Sequence, residues 1–381
     1  MTPSTPDLIQ WRQNRWRGAF AAVVFLGLGM TAQGQGRRLD RANLLEYRAP
    51  NGDIRPVRTV ADWKIRRAEI LAAMQSVMGP VPGAAKRVPL DVTVEDEKDF
   101  GAYLRRRITY ASEPGSRTPA LLFIPKAALQ GGAQVPGALA LMGTGGYKLA
   151  DHPAQIDTAA MQHPGERLAA RGIVAIAPAY PTLGFGARQH LKTEYAPDFK
   201  ALGYESGTMK AIWDNMRALD VLESLPFVRR GGFGTIGHSL GGHNSIYTSV
   251  VDQRIEVIVS SCGFDSFLDY YSEVTPSVWT PGRGWTQDRY MPKLGGMDPK
   301  DIPFDFHELI GTLAPRAFFV NAPVGDTNFK WRSVDRVMAV AAQVYRLYGV
   351  PSLIRVVHPD AGHDFPPEVL EEALVWMETH L

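Results

Sequence analysis

Apolar and polar positions recur along this chain with two different periods, and the change of period divides it. Between Asp62 and Met78 the apolar residues Trp63, Ile65, Ile70, Leu71 and Met74 have helical spacing, and Gly79-Pro80 ends the pattern. Val88–Val94, Tyr103–Tyr110 and Ala120–Pro125 read as β segments bounded by turn residues. Beyond them, short apolar runs predict strands at Ala138–Met142, Ile173–Ala179, Gly234–Gly237, Ile255–Ser260, Ala317–Asn321 and Leu353–Val357. Helical patterns intervene at Thr208–Leu225, Leu240–Val251 and Ser333–Leu347, and another follows at Pro366–His380. Short strands joined by helical crossovers predict an α/β fold: a mainly parallel, doubly wound sheet with helices on both faces. Ligands on such sheets bind at the carboxyl ends of the strands.

Two segments break this rhythm. Asp265–Ala314 is rich in aromatics (Phe267, Tyr270, Tyr271, Trp279, Trp285, Tyr290), proline and glycine, and a cap-like insert lining a pocket is expected there; a packed surface excursion is the alternative. The start carries Arg12, Arg15 and Arg17, an apolar run from Ala19 to Met30, and small or polar residues up to Gly34. That is the pattern of an export signal cleaved near Gly34, giving a secreted or periplasmic protein; an uncleaved anchor is the alternative. The run is shorter than the roughly 20 residues that span a bilayer, so stable membrane insertion is not expected. The expected organisation is a signal peptide over 1–34, an N-terminal helix and β extension over 35–119, and a catalytic domain over 120–381 carrying the insert 265–314.

Composition narrows the function classes. With 381 residues, 45% of them hydrophobic, the chain can bury a large core. Its 41 Lys plus Arg and 39 Asp plus Glu are interspersed, so no basic stripe invites nucleic acid. The single cysteine, Cys262, excludes an internal disulfide and a cysteine-based zinc cluster, and reads as a core thiol. Gly232-x-Gly234-x-x-Gly237 matches the dinucleotide fingerprint in form, but its glycines fall before and inside a strand instead of after one. Gly143-Thr-Gly-Gly-Tyr-Lys lacks the spacing of a phosphate-binding loop. Neither a cofactor nor a metal is expected.

The chemistry lies in Gly237-His-Ser239-Leu-Gly241, between a strand and a helix, the sequence of a nucleophile elbow. A serine hydroxyl needs a base to take its proton and a third group to hold that base. His363, in a glycine-containing loop after the last strand, is the expected base. His358 reads as structural, and His238 and His243 sit too close to Ser239 in sequence to reach around to its hydroxyl. The expected acid is Asp326, following the Phe318–Asn321 strand; Asp265 is the rival, and Asp360 and Asp364 read as loop-ordering residues. Oxyanion donors are expected from the N–H of Leu240 and from Thr144 or Gly145 in the loop after Ala138–Met142.

Ser239, Asp326 and His363 in that order, with the glycine loop, resemble the α/β-hydrolase fold superfamily over about Ala120–Leu381. Trp213-Asp-Asn-Met-Arg-Ala-Leu-Asp, Gly237-His-Ser-Leu-Gly-Gly-His and Gly362-His-Asp-Phe are similar to secreted single-domain members of the prolyl-oligopeptidase, acetyl-xylan-esterase and dienelactone-hydrolase types. Ser239 stands where dienelactone hydrolases carry cysteine, and Leu240 where acetyl xylan esterases usually carry glutamine. In this fold the insert lies between strands 6 and 7. The resemblance implies a serine hydrolase cleaving carboxylic esters, of acetylated carbohydrates or other small acyl groups, through an acyl-enzyme. Two alternatives stand beside it: a peptidase of prolyl-oligopeptidase type lacking the propeller, and a binding protein on a relic fold. The oligomeric state is open.

Overall fold

The structure, a computed structural model, describes residues 38–144, 164–181, 195–270, 290–294 and 297–381. The expected signal peptide, Gly145 and the middle of the insert, including Tyr271, Trp279 and Trp285, lie outside the described residues.

The elements in chain order are β1 (Glu46–Arg48), β2 (Ile54–Pro56), α1 (Val60–Met78), β3 (Thr93–Asp99), β4 (Tyr103–Glu113), β5 (Ser116–Pro125), α2 (Lys126–Leu129), β6 (Gly137–Leu141), α3 (Pro164–Ala170) and β7 (Val174–Pro178). There follow α4 (Gly207–Ser224), β8 (Phe233–His238), α5 (Leu240–Val251), β9 (Ile255–Ser261), α6 (Phe306–Gly311), β10 (Ala317–Asn321), α7 (Trp331–Leu347), β11 (Ile354–Val357) and α8 (Pro367–His380). β1 and β2 form a small antiparallel pair, and the other strands form one nine-stranded sheet in the order β11-β10-β9-β8-β6-β7-β5-β4-β3. Its members from β11 to β7 run parallel, and β5, β4 and β3 continue it antiparallel.

Alternation along the central strands feeds two cores, because successive side chains point to opposite faces of a sheet. Ile258, Phe318 and Val320 join Trp63, Trp213, Ile246, Phe306 and Val344 on one face. Val257, Val259, Ala317 and Phe319 join Leu168, Leu374 and Met377 on the other. Both faces are covered, which is why these strands read as unbroken apolar runs.

Two expectations shift. Of the Val88–Val94 segment only Thr93 and Val94 are in a strand; the strand is β3, Thr93–Asp99, whose sequence Thr-Val-Glu-Asp-Glu-Lys-Asp is almost wholly exposed. It is the sheet edge, where charges keep foreign strands from pairing and no apolar face is needed. In α1 the buried face is Trp63, Arg66, Ile70, Met74 and Val77, while Ile65 is exposed. Arg66 takes a core position because its guanidinium meets Glu308 at 2.6 Å, both side chains being 3% exposed.

Leu39–Leu381 is one compact unit, so the stretch before residue 120 contributes β3, β4 and most of α1's packing to the same body. The strand order reverses between β8 and β6, the crevice where such sheets bind ligands.

Candidate active site

Ser239 caps α5 directly after β8, with φ 54° and ψ −117°. That left-handed φ is strained for a residue with a side chain, and the surroundings hold it there. A Cβ on Gly237 would lie 2.3 Å from the Gly241 carbonyl group, and one on Gly241 would lie 2.1 Å from the Leu141 oxygen, so both positions accept glycine alone. Ser239 N–H donates to the Ser261 carbonyl at 2.8 Å, fixing the turn to β9.

His363 reaches this serine from the loop after β11. Its Nε2 is 2.9 Å from Ser239 Oγ, and its Nδ1 lies 3.0 and 3.1 Å from the two oxygens of Asp326. Asp326 comes from the loop after β10, and backbone ties draw the two loops together: Val324 N–H to Pro359 O and Gly325 N–H to Ala361 O, each 3.0 Å. The Asp326 side chain is 1% exposed. Burial pushes its pKa up, but the hydrogen bond and charge of His363 and the N–H groups of Asn328 and Phe329 outweigh that and hold it below the usual carboxylate value. The ring of Phe329 packs 5.8 Å from that of His363, and Tyr270 stacks on Phe329 at 5.3 Å.

The rival acid, Asp265, is fully buried and accepts the Lys330 N–H at 3.1 Å; its other oxygen has no partner among the described residues. Burial drives its pKa well up, which favours the neutral acid. His358 turns elsewhere, Nδ1 toward Ala322 O at 2.7 Å and Nε2 toward Asp335 at 2.9 Å. Asp364 receives the Phe365 N–H on its side chain, and Asp360 is exposed. His238 is buried and His243 half-buried, and desolvation lowers the pKa of each ring to about 3 and keeps both neutral.

The loop after β6 also runs beside Ser239. A Cβ on Gly143 would lie 3.3 Å from His238 O and 3.9 Å from Ser239 Cβ, so the loop backbone lies against the elbow. Thr144 follows at the surface, and Leu240 is the first residue of α5, where N–H groups lack helical acceptors.

One grouping among the described residues has metal-ligand chemistry: ligating atoms of His238, Cys262 and His363 lie within 4.8 Å of one another. Both nitrogens of His363 are, however, engaged by Ser239 and Asp326, and burial beside Asp326 pushes the Cys262 thiol up, away from the thiolate a metal requires. The residues that sequence reasoning passed over are Ser261 and Asn321, buried at the ends of β9 and β10. Their only signal was a polar residue closing an apolar strand.

No helix among the described residues is long and apolar enough to cross a membrane. Against known proteins, the profile of the family described as "Glucuronyl esterase, fungi" matches residues 198–349. A Bacillus subtilis (strain 168) protein, provisionally named hydrolase YtaP, is 28% identical over 171 residues, 45% of this chain. That alignment spans 53% of the relative, about half its length. The glucuronoyl esterase from Solibacter usitatus superposes with a TM-score of 0.67 at 19% identity, over 90% of this chain and 98% of that one. The glucuronoyl esterase catalytic domain from Hypocrea jecorina gives 0.58 at 18% identity, over 93% and 91%. Identities this low establish the fold alone. With the sheet order and the Gly-x-Ser-x-Gly turn, they give the chain the α/β-hydrolase fold.

Proposed function

We propose that this protein is a serine hydrolase of carboxylic esters, with Ser239, His363 and Asp326 as its catalytic triad and a carbohydrate ester, foremost a glucuronoyl ester, as substrate. The observation that carries the reading is the unbroken hydrogen-bond chain from Ser239 Oγ through both nitrogens of His363 to Asp326.

Ser239 Oγ attacks the ester carbonyl carbon as its proton passes to His363 Nε2. Asp326 accepts the Nδ1–H and stabilises the imidazolium, a task suited to a carboxyl held ionised. The N–H of Leu240 and an amide of the Thr144–Gly145 loop receive the oxyanion; one such donor is worth about 2.7–4 kcal/mol of barrier. His363 returns its proton to the leaving alcohol, and water then repeats the sequence to free the acid. His238 stands 4.8 Å from His363, ring centre to ring centre, and its neutrality spares the imidazolium a like charge. The sugar part of the assignment is supported by the description of the matching family profile. The reading includes export of the mature chain after cleavage near Gly34, tested by its N-terminal sequence when secreted.

The test is turnover of p-nitrophenyl acetate, a methyl glucuronate ester and acetylated xylo-oligosaccharide, together with labelling by a fluorophosphonate. Labelling of the wild type, none of Ser239→Ala, and a preference for the glucuronate ester are expected. Equal labelling of a folded Ser239→Ala chain refutes the nucleophile; preference for the acetylated sugar moves the substrate class.

A further inference from the structure

Beneath the Ser239–His363 pair lies a second set of polar side chains that takes no part in the scheme above. Asn321, the last residue of β10, is 1% exposed. Its amide N–H groups donate to Ser261 Oγ at 2.8 Å and to the backbone carbonyl of Asp364 at 2.9 Å. The second bond fixes the amide's orientation, because a carbonyl oxygen can only accept. The Cys262 thiol donates to the same carbonyl at 3.3 Å. Ser261 Oγ also shares a hydrogen bond with His238 Nδ1, 2.9 Å away.

The Asp364 carbonyl, on the residue that follows His363, is thus tied to the ends of β9 and β10. Elsewhere the loop is tied by backbone bonds to the segment carrying Asp326 and, at its start, by His358 to Ala322 O and Asp335, and a Cβ on Gly362 would meet nothing within 4 Å. The imidazole must satisfy Ser239 and Asp326 at once from a glycine-containing loop, and a misplacement of about 1 Å can cost about a hundredfold in rate. Packing does not call for an amide here: β10 is otherwise Ala-Phe-Phe-Val, and Asn321 Oδ1 is buried with no partner among the described residues, a desolvation cost an apolar residue avoids.

From this juxtaposition we propose that Asn321 is a positioning residue for the ester hydrolysis: through the Asp364 carbonyl it holds His363 in register with Ser239 and Asp326. The inference rests on the reading of function given above and deepens it.

The experiment compares Asn321→Ala, the nearly isosteric Asn321→Asp and Cys262→Ser with wild type on p-nitrophenyl acetate, active sites being counted with a fluorophosphonate. Hydrogen–deuterium exchange of peptide 358–365 is followed by mass spectrometry. For both Asn321 variants kcat per labelled site falls about ten- to a hundredfold with KM within about twofold, and exchange of the loop quickens. Cys262→Ser, which keeps a donor, stays within about twofold. A kcat per labelled site unchanged in the Asn321 variants, whether or not fewer sites label, overturns the proposal, as does unchanged exchange. If wild type neither labels nor hydrolyses, the reading of function has failed instead, and the exchange rates alone then decide whether Asn321 clamps the loop.

Discussion

At the scale of single residues, environment separates groups that are chemically alike. Asp326 and Asp265 are both buried carboxylates near the sheet ends, yet one faces an imidazole and two N–H groups while the other meets a single N–H. Asp326→Asn is therefore expected to lower kcat by the order of a thousandfold or more, since the ring loses the partner that sets its tautomer. Asp265→Asn, which replaces a mostly neutral acid by its isostere, stays within a few-fold in the same assay. The glycines of the elbow allow no substitution: Gly241→Ala drives a methyl into the Leu141 carbonyl, and we expect loss of soluble protein or at least about 3 kcal/mol of stability by denaturant titration. Acid stability follows from the desolvated rings of His238 and His243. Their native pKa is about 3 against an ordinary 6.5, so below 6.5 the unfolded chain takes up protons that the native state refuses. Stability falls as pH drops from about 6.5 toward 3, and His243→Gln flattens that slope by up to about 1.4 kcal/mol per pH unit, read from melting curves. Asp326, with its lowered pKa, adds stability that is lost only further down, below 3.8.

At the scale of elements, the packing of α4 turns on a charge cluster that no pattern of apolar residues announces. Lys210, fully buried on α4, meets Asp214 at 2.6 Å and Glu113 of β4 at 3.0 Å. Tyr195 and Thr118 also donate to Asp214, and Tyr204 donates to Glu113. Removing this cation leaves Asp214 buried without a counter-charge, while Glu113 keeps Lys86 at 2.6 Å, and Lys210→Met is expected to cost about 3–5 kcal/mol in denaturant unfolding. A smaller change in that experiment would mean that water reaches the cluster. The insert is held at its base in a similar way: Asp305, at the cap of α6, accepts from Ser266 Oγ, Phe267 N–H and Arg41, gathering both ends of the insert and the N-terminal segment. Helical periodicity located α1 but gave Ile65 the wrong face, because Arg66 owes its core position to Glu308, far away in sequence.

At the scale of the whole molecule, β5 pairs with β7 on one side and β4 on the other, so the stretch before residue 120 is part of the sheet. A fragment 120–381 loses β3 and β4 together with Trp63, Ile108 and Tyr110 of the core. It is expected to be insoluble or to lack a cooperative thermal transition by circular dichroism; a cooperative, soluble fragment would give the catalytic part independent stability. The sequence by itself determined the fold class, because strands buried on both faces must be continuously apolar and crossover helices must carry their own period. It also pointed to Ser239, because a strained turn tolerates glycine alone on either side, and to His363 with either Asp326 or Asp265, because loops after parallel strands collect at one end of the sheet. Only the tertiary structure decided which carboxylate faces the imidazole, that Asn321 and Ser261 underlie the site, and that Lys210 and Arg66 are core residues. These are matters of partners brought from distant segments, and a polar side chain's burial depends on the partner it finds, which its neighbours in sequence do not encode.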